Sequence, residues 1–107
     1  MSNGPANDWS DPVKKRAASI RVLKHIIAHP AAGQACIGND AAAHALFQDA
    51  AIGNIAIPPG RRVVMFPSGE EALAVGSSLV IELPGAISPN PSDRELLSYV
   101  LACYKYW

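Results

Sequence analysis

Cysteine, tyrosine and tryptophan are the side chains most readily oxidised by one or two electrons. This chain of 107 residues ends on all three, in Cys103-Tyr104-Lys105-Tyr106-Trp107. From such a cluster a thiol gives thioethers or heterocycles, and phenol and indole rings give aryl–aryl or aryl–nitrogen bonds. Exposure and thiolate character control the thiol's part. Four of the seven Phe, Trp and Tyr residues (Tyr99, Tyr104, Tyr106, Trp107) fall in the last nine positions. A small domain ordinarily spreads its aromatics through the core, where each buries a large apolar area, and a terminus is the place where order is poorest. On composition alone, Tyr99, Tyr104 and Trp107 pack on the body and Tyr106 points outward.

The other chemistry-bearing residues offer less. His25 and His29 are four apart, a spacing that puts both on one helix face. A zinc site of the His-Glu-x-x-His kind needs glutamate after the first histidine, and Ile26 stands there. No metal site is expected. Cys36 and Cys103 match no metal or redox spacing and read as free thiols. There is no nucleophile elbow, no phosphate-cradling glycine loop and no paired carboxylates; Glu70-Glu71 beside Gly69 read as a solvated loop. The expectation is a chain that is not an enzyme, with no catalytic residues and no cofactor.

Composition narrows the partners. Nine basic residues balance nine acidic ones, and Lys14-Lys15-Arg16 is a local cluster, read as a solvated helical turn. No general basic field is present to hold nucleic acid. No apolar run approaches about 18 residues, so no membrane span is expected. The polar start, Met1 to Asp11, lacks the apolar segment of a secretory signal, which makes the cytoplasm the expected compartment.

The elements that must position the tail follow from pattern. Residues 1–11 read as a disordered lead. Ser10-Asp11-Pro12 starts a helix, with a capping side chain followed by proline at the first helical position. Val13, Ala17, Ile20, Leu23 and Ile27 recur at helical spacing, widened by Val22 and Ile26, and His29-Pro30 ends or kinks that helix. A short helix fits 31–38. Asn39-Asp40 caps a third, with Ala43, Leu46, Phe47 and Ala50 inward and a stop at Gly53-Asn54. Ile55-Ala56-Ile57 leads into the rigid turn Pro58-Pro59-Gly60. Arg61–Phe66 and Leu79–Leu83 read as strands; Glu70–Val75 stays ambiguous between loop, helical turn and strand. The Pro/Ser/Asn-rich stretch 85–91 reads as a linker. Ser92-Asp93-Arg94-Glu95 is a capping box, and Leu96, Leu97, Val100, Leu101 and Tyr104 continue it as one helical face reaching into the tail. The predicted class is α+β: one small domain with N-terminal helices packed on a two-stranded β-hairpin, then a C-terminal helix and tail.

The order of these pieces resembles a known family. Ala28-His29-Pro30, Asn39-Asp40, Ala51-Ile52-Gly53-Asn54-Ile55-Ala56-Ile57-Pro58-Pro59-Gly60, Val63-Val64-Met65-Phe66 and Leu79-Val80-Ile81-Glu82-Leu83-Pro84 follow one another as in the nitrile-hydratase-like leader peptides. Those leaders belong to precursors of ribosomally made, post-translationally modified peptides. Pro91-Ser92-Asp93-Arg94-Glu95-Leu96-Leu97 looks like the helix that precedes the core peptide in that family. The resemblance covers roughly 20–97 and rests on the order of weak motifs. The chain departs from the family in three ways. Leu101-Ala102 stands where a Gly-Gly cleavage site is expected, and the loop from Pro67 to Ser78 is longer than usual. The Cys-rich metal box of true hydratase subunits is absent, so hydratase activity is not implied.

What the resemblance implies is a division of labour. Residues 12–84 would be a folded recognition leader, 85–91 a linker and 92–107 a helix with the core peptide. Cys103, Tyr104, Tyr106 and Trp107 would be the modified residues. Their partner would be a peptide-modifying enzyme of radical, haem or non-haem iron type, joined by a protease or an exporter of the mature product. That enzyme would be recognised through an exposed strand edge carrying Arg61, Val63, Val64 and Phe66, or Leu79, Ile81 and Leu83. The competing expectation is a non-catalytic interaction subunit that docks through its aromatic C-terminal helix. A small hydrolase-like enzyme is the weakest reading, because no nucleophile–base pair is visible.

Overall fold

A computed structural model describes residues 9–67, 78–85 and 90–102, with the backbone alone described for Ser78, Leu101 and Ala102. Three helices open the chain. Helix α1, Pro12–Ala28, starts where the sequence places it. The Asp11 carboxylate accepts from the Val13 amide at 2.9 Å, and proline fills the first helical position. Its buried stripe is Ala18, Ser19, Val22, Leu23 and Ile26. The one polar member, Ser19, donates its hydroxyl to the Lys15 carbonyl at 2.9 Å, so this buried hydroxyl is paired. The helix closes as the His29 amide turns back to the carbonyls of His25 and Ile26. Pro30 then begins α2, Pro30–Cys36. Helix α3, Asp40–Gln48, is capped by the Asn39 side chain, which accepts from the Ala42 amide at 3.2 Å, and it buries Ala43 and Phe47. Leu46 is half-buried and Ala50 exposed, and the helix stops at Gln48, short of Gly53.

The remaining elements are β1, Arg62–Phe66; β2, Ser78–Glu82; a short helix α4, Asp93–Leu97; and β3, Val100–Ala102. They form one sheet in the order β1-β2-β3. The class is α+β, as expected, but the predicted hairpin is not there. β1 and β2 are parallel, with Val63 beside Leu79 and Met65 beside Ile81. Alternation of apolar residues says which face of a strand is buried and is silent on its direction. A parallel pair requires the chain between its strands to return to the start of the neighbour.

The C-terminal helix is also shorter than its apolar spacing predicts. Helix α4 starts on the predicted cap, with Ser92 Oγ accepting from the Glu95 amide at 3.1 Å. It closes after one turn and a half. The Ser98 hydroxyl donates to the Glu95 carbonyl at 2.6 Å and the Tyr99 amide to the Leu96 carbonyl at 3.0 Å. Val100, Leu101 and Ala102 then pair antiparallel with Ile81, Val80 and Leu79. The backbone groups on β2's second side need partners, and a strand supplies them where a helix cannot.

Both layers share one core. Val63, Met65, Leu79, Ile81, Leu83 and Val100 face Val22, Leu23, Ile26, Ala43, Phe47 and Leu96. On the other face of the sheet Val80 is just 1% exposed, so β2 is covered on both faces. No helix among the described residues is long and apolar enough to cross a membrane.

Because Leu96 is fully buried in the common core, Leu96→Ala should lower the unfolding free energy by about 2–5 kcal/mol in urea titrations. A loss below about 0.5 kcal/mol would mean that α4 packs apart from the body.

Candidate functional site

Strand β3, which precedes the tail in sequence, lies at an edge of the sheet. Ala102 lies opposite Leu79, near the start of β2, and Cys103, Tyr104, Tyr106 and Trp107 follow at once but lie outside the described residues. Tyr99, the remaining aromatic of the C-terminal group, packs against the core.

The recognition edge expected at Leu79–Leu83 is not available. β2 is the central strand, bonded to β1 on one side and β3 on the other. The Leu83 amide is also used, donating to the Phe66 carbonyl at 2.9 Å. Leu79, Ile81 and Leu83 are buried, as are Val63 and Phe66. A period-two apolar strand in a small domain is first of all core, and these side chains hold the sheet to the helices. Val64 is half-buried and Arg61 exposed. β1 does lie at a sheet edge, with Ile37 bridging Met65 on its outer side.

The run Ala51–Gly60 proves architectural in its first half. Gly53 comes so close to the backbone of Phe47 that a β-carbon there would collide with it. Asn54 adopts φ 52°, and the Ile55 amide donates to the Phe47 carbonyl at 3.0 Å. Arg21, reaching across from α1, locks this turn: its Nε donates to the Ile52 carbonyl at 3.1 Å and its Nη2 to the Gly53 carbonyl at 2.6 Å. Sequence inspection missed Arg21, because nothing local to an exposed helix position announces two carbonyls some thirty residues away.

The histidines and the described cysteine assemble no catalytic set. The rings of His25 and His29 lie 4.6 Å apart at their centroids, and among the described residues no three His, Cys, Asp or Glu side chains converge to hold a metal. The Nε2 of His44 is buried without a hydrogen-bond partner. Cys36, the last residue of α2, is buried, its thiol 3.3 Å from the Ala32 carbonyl, and burial pushes its pKa up. A raised pKa and a closed environment both suppress thiolate chemistry.

Cations gather where α1 begins. The Lys15 ammonium lies 5.4 Å from the centre of the Trp9 ring, and Trp9 in turn meets Phe47 edge-on at 6.5 Å. Burial, then Arg61, then Arg16 hold the Lys15 pKa below the ordinary lysine value. Arg62 pairs with Asp40 at 2.7 Å, tying the start of β1 to the start of α3, and that bond raises the guanidinium pKa.

Two measurements test this geometry. In a Cys103→Ser chain, iodoacetamide should alkylate Cys36 at least about tenfold more slowly in the native state than in urea; equal rates would contradict its burial. Arg21→Met, which keeps an apolar stem but removes the donors, should cost about 1–2 kcal/mol in urea unfolding, and an unchanged midpoint would show the turn to be held without it.

Comparison with protein-family models, curated proteins and solved structures gives no match to this chain.

Proposed function

We propose that this chain is the precursor of a ribosomally made, post-translationally modified peptide. In this reading the folded body is the leader that a modifying enzyme binds, and Cys103, Tyr104, Tyr106 and Trp107 are the residues it modifies. The observation that carries the reading is positional: the chain's densest group of oxidisable side chains begins on the residue after edge strand β3. The one cysteine within the described body, Cys36, is buried. A body held at an enzyme's surface raises the local concentration of an attached tail, so weak contacts between tail and active site suffice.

The short strand β3 bears on how the tail is presented. A helix running through Tyr104 would have to be unwound before reaction. With Val100–Ala102 extended along β2, the chain approaches Cys103 already out of the helix. The chemistry left to the partner is oxidative. A thioether or an aryl–aryl bond within the tail removes two hydrogen atoms from the chain. Two protons and two electrons leave, the electrons passing to the oxidising cofactor of a radical, haem or non-haem iron enzyme. A protease or an exporter would act afterwards on the product.

Co-expression with each redox enzyme encoded beside the gene, followed by mass spectrometry, tests the proposal. A mass change confined to residues 103–107 is expected, and deletion of those residues should leave binding of the modifying enzyme intact. A tail unchanged in mass with every such enzyme contradicts the reading. Loss of partner binding on deleting the tail favours instead an interaction subunit that docks through its terminus.

A further inference from the structure

Helix α1 ends and α2 begins on one residue, His29, which closes the first and precedes the second. Its backbone is held from several directions. Its amide donates to the carbonyls of His25 and Ile26, and its carbonyl accepts from the Ala32 amide at 2.9 Å. Pro30 keeps it out of the helical region, at φ −135° and ψ 75°. The two helices also meet closely: a β-carbon on Gly33 of α2 would stand 2.7 Å from Ile26 Cγ2 of α1. The corner is a tight joint, and it carries a pair of imidazoles.

The rings of His25 and His29 lie 4.6 Å apart at their centroids, with planes inclined by 38°, so they are neighbours that do not stack in parallel. His25 is half-buried and His29 exposed. The hydrogen bonds of both residues are made by the backbone, which leaves their ring nitrogens uncommitted among the described residues. His44 is the contrast, since its Nε2 is buried from solvent. A neutral imidazole offers a nitrogen lone pair to a metal. With metal–nitrogen bonds of about 2.0 Å, two imidazoles on one ion have ring centres about 4.5 Å apart when the bonds meet at a right angle and about 5.1 Å apart at the tetrahedral angle. The observed separation falls at the right-angle end. Neighbouring ligands meet at that angle in the tetragonal sites that Cu²⁺ and Ni²⁺ prefer. Because His29 is exposed, no packing opposes the ring rotation that aims its nitrogen.

We propose that His25 and His29 form a two-imidazole binding site for a divalent transition-metal ion of the Cu²⁺ or Ni²⁺ kind at the α1–α2 corner. The inference stands apart from the precursor reading. Ile26 in place of a glutamate removes the general base of a hydrolytic zinc site, but binding needs only the two rings on one face. No third His, Cys, Asp or Glu among the described residues joins them, so water fills the remaining positions of the ion. An ion held by both rings ties the last turn of α1 to the residue that starts α2. It binds the folded chain in preference to an unfolded one in which the rings separate, and so it stabilises the fold.

The test uses the full chain carrying Cys103→Ser, which removes a competing thiol, isotopically labelled and titrated with CuCl₂. One equivalent should bind. The paramagnetic ion should broaden the amide signals of residues 24–30 first, and electron paramagnetic resonance should show splittings from two imidazole nitrogens. His29→Asn and His25→Gln should each lose at least about tenfold in affinity, because the second imidazole then no longer binds intramolecularly. His44→Gln should lose nothing. Copper at about ten times its dissociation constant should raise the urea midpoint of the parent chain and leave that of His29→Asn unchanged. Asparagine is itself a good cap at that exposed position, so the test does not depend on how well His25→Gln folds. Broadening centred elsewhere, an affinity unchanged by His29→Asn, or a midpoint that copper does not raise would each overturn the inference.

Discussion

The rest of the structure depends on the double pairing of β2. Its residues Leu79, Val80 and Ile81 are buried, so backbone groups on both sides of the strand need partners away from water. β1 answers on one side and β3 on the other. Each pairing has a consequence beyond stability. The parallel match with β1 brings the starts of both strands to one end of the sheet. The antiparallel match with β3 means that the chain enters beside Glu82 and leaves beside Leu79. The exit of the oxidisable tail is therefore set by strand polarity, and it coincides with the end at which β1 begins.

The helical layer is fastened to the sheet at several points. The last turn of α1 shares a cleft with the residues just beyond β2. Trp9 on Phe47 and Arg21 on the carbonyls of Ile52 and Gly53 fasten α1 to α3 and to the turn after it. The pair Arg62–Asp40 fastens α3 to β1. It is exposed and adds little stability of its own.

Local chemistry was the most legible part of the sequence. Asp11, Asn39 and Ser92 each cap the helix they were expected to cap, since a cap is decided within three residues. Val22, Leu23, Ile26 and Phe47 are buried as their spacing implies, whereas Val13, expected on the same face, is 66% exposed in the first turn. Strand direction was not legible, because Val63, Met65, Leu79 and Ile81 alternate identically in either direction. The run Leu96, Leu97, Val100, Leu101 misled for a different reason. Its spacing suits a helix, and what decides otherwise is the unpaired side of β2, a demand set far away in sequence. For the same reason Leu79, Ile81 and Leu83 were read as a docking edge when they are core.

The central claim is that the folded body delivers its own C-terminus to an enzyme. The most direct measurement compares the rate at which that enzyme modifies the full chain with its rate on the free pentapeptide of residues 103–107, both at low concentration. The expected result is a kcat/KM at least about a hundredfold higher for the full chain, the gain that tethering supplies without any new contact at the reacting groups. Equal values for the two substrates would contradict the account, because the body would then contribute nothing to the reaction of its tail.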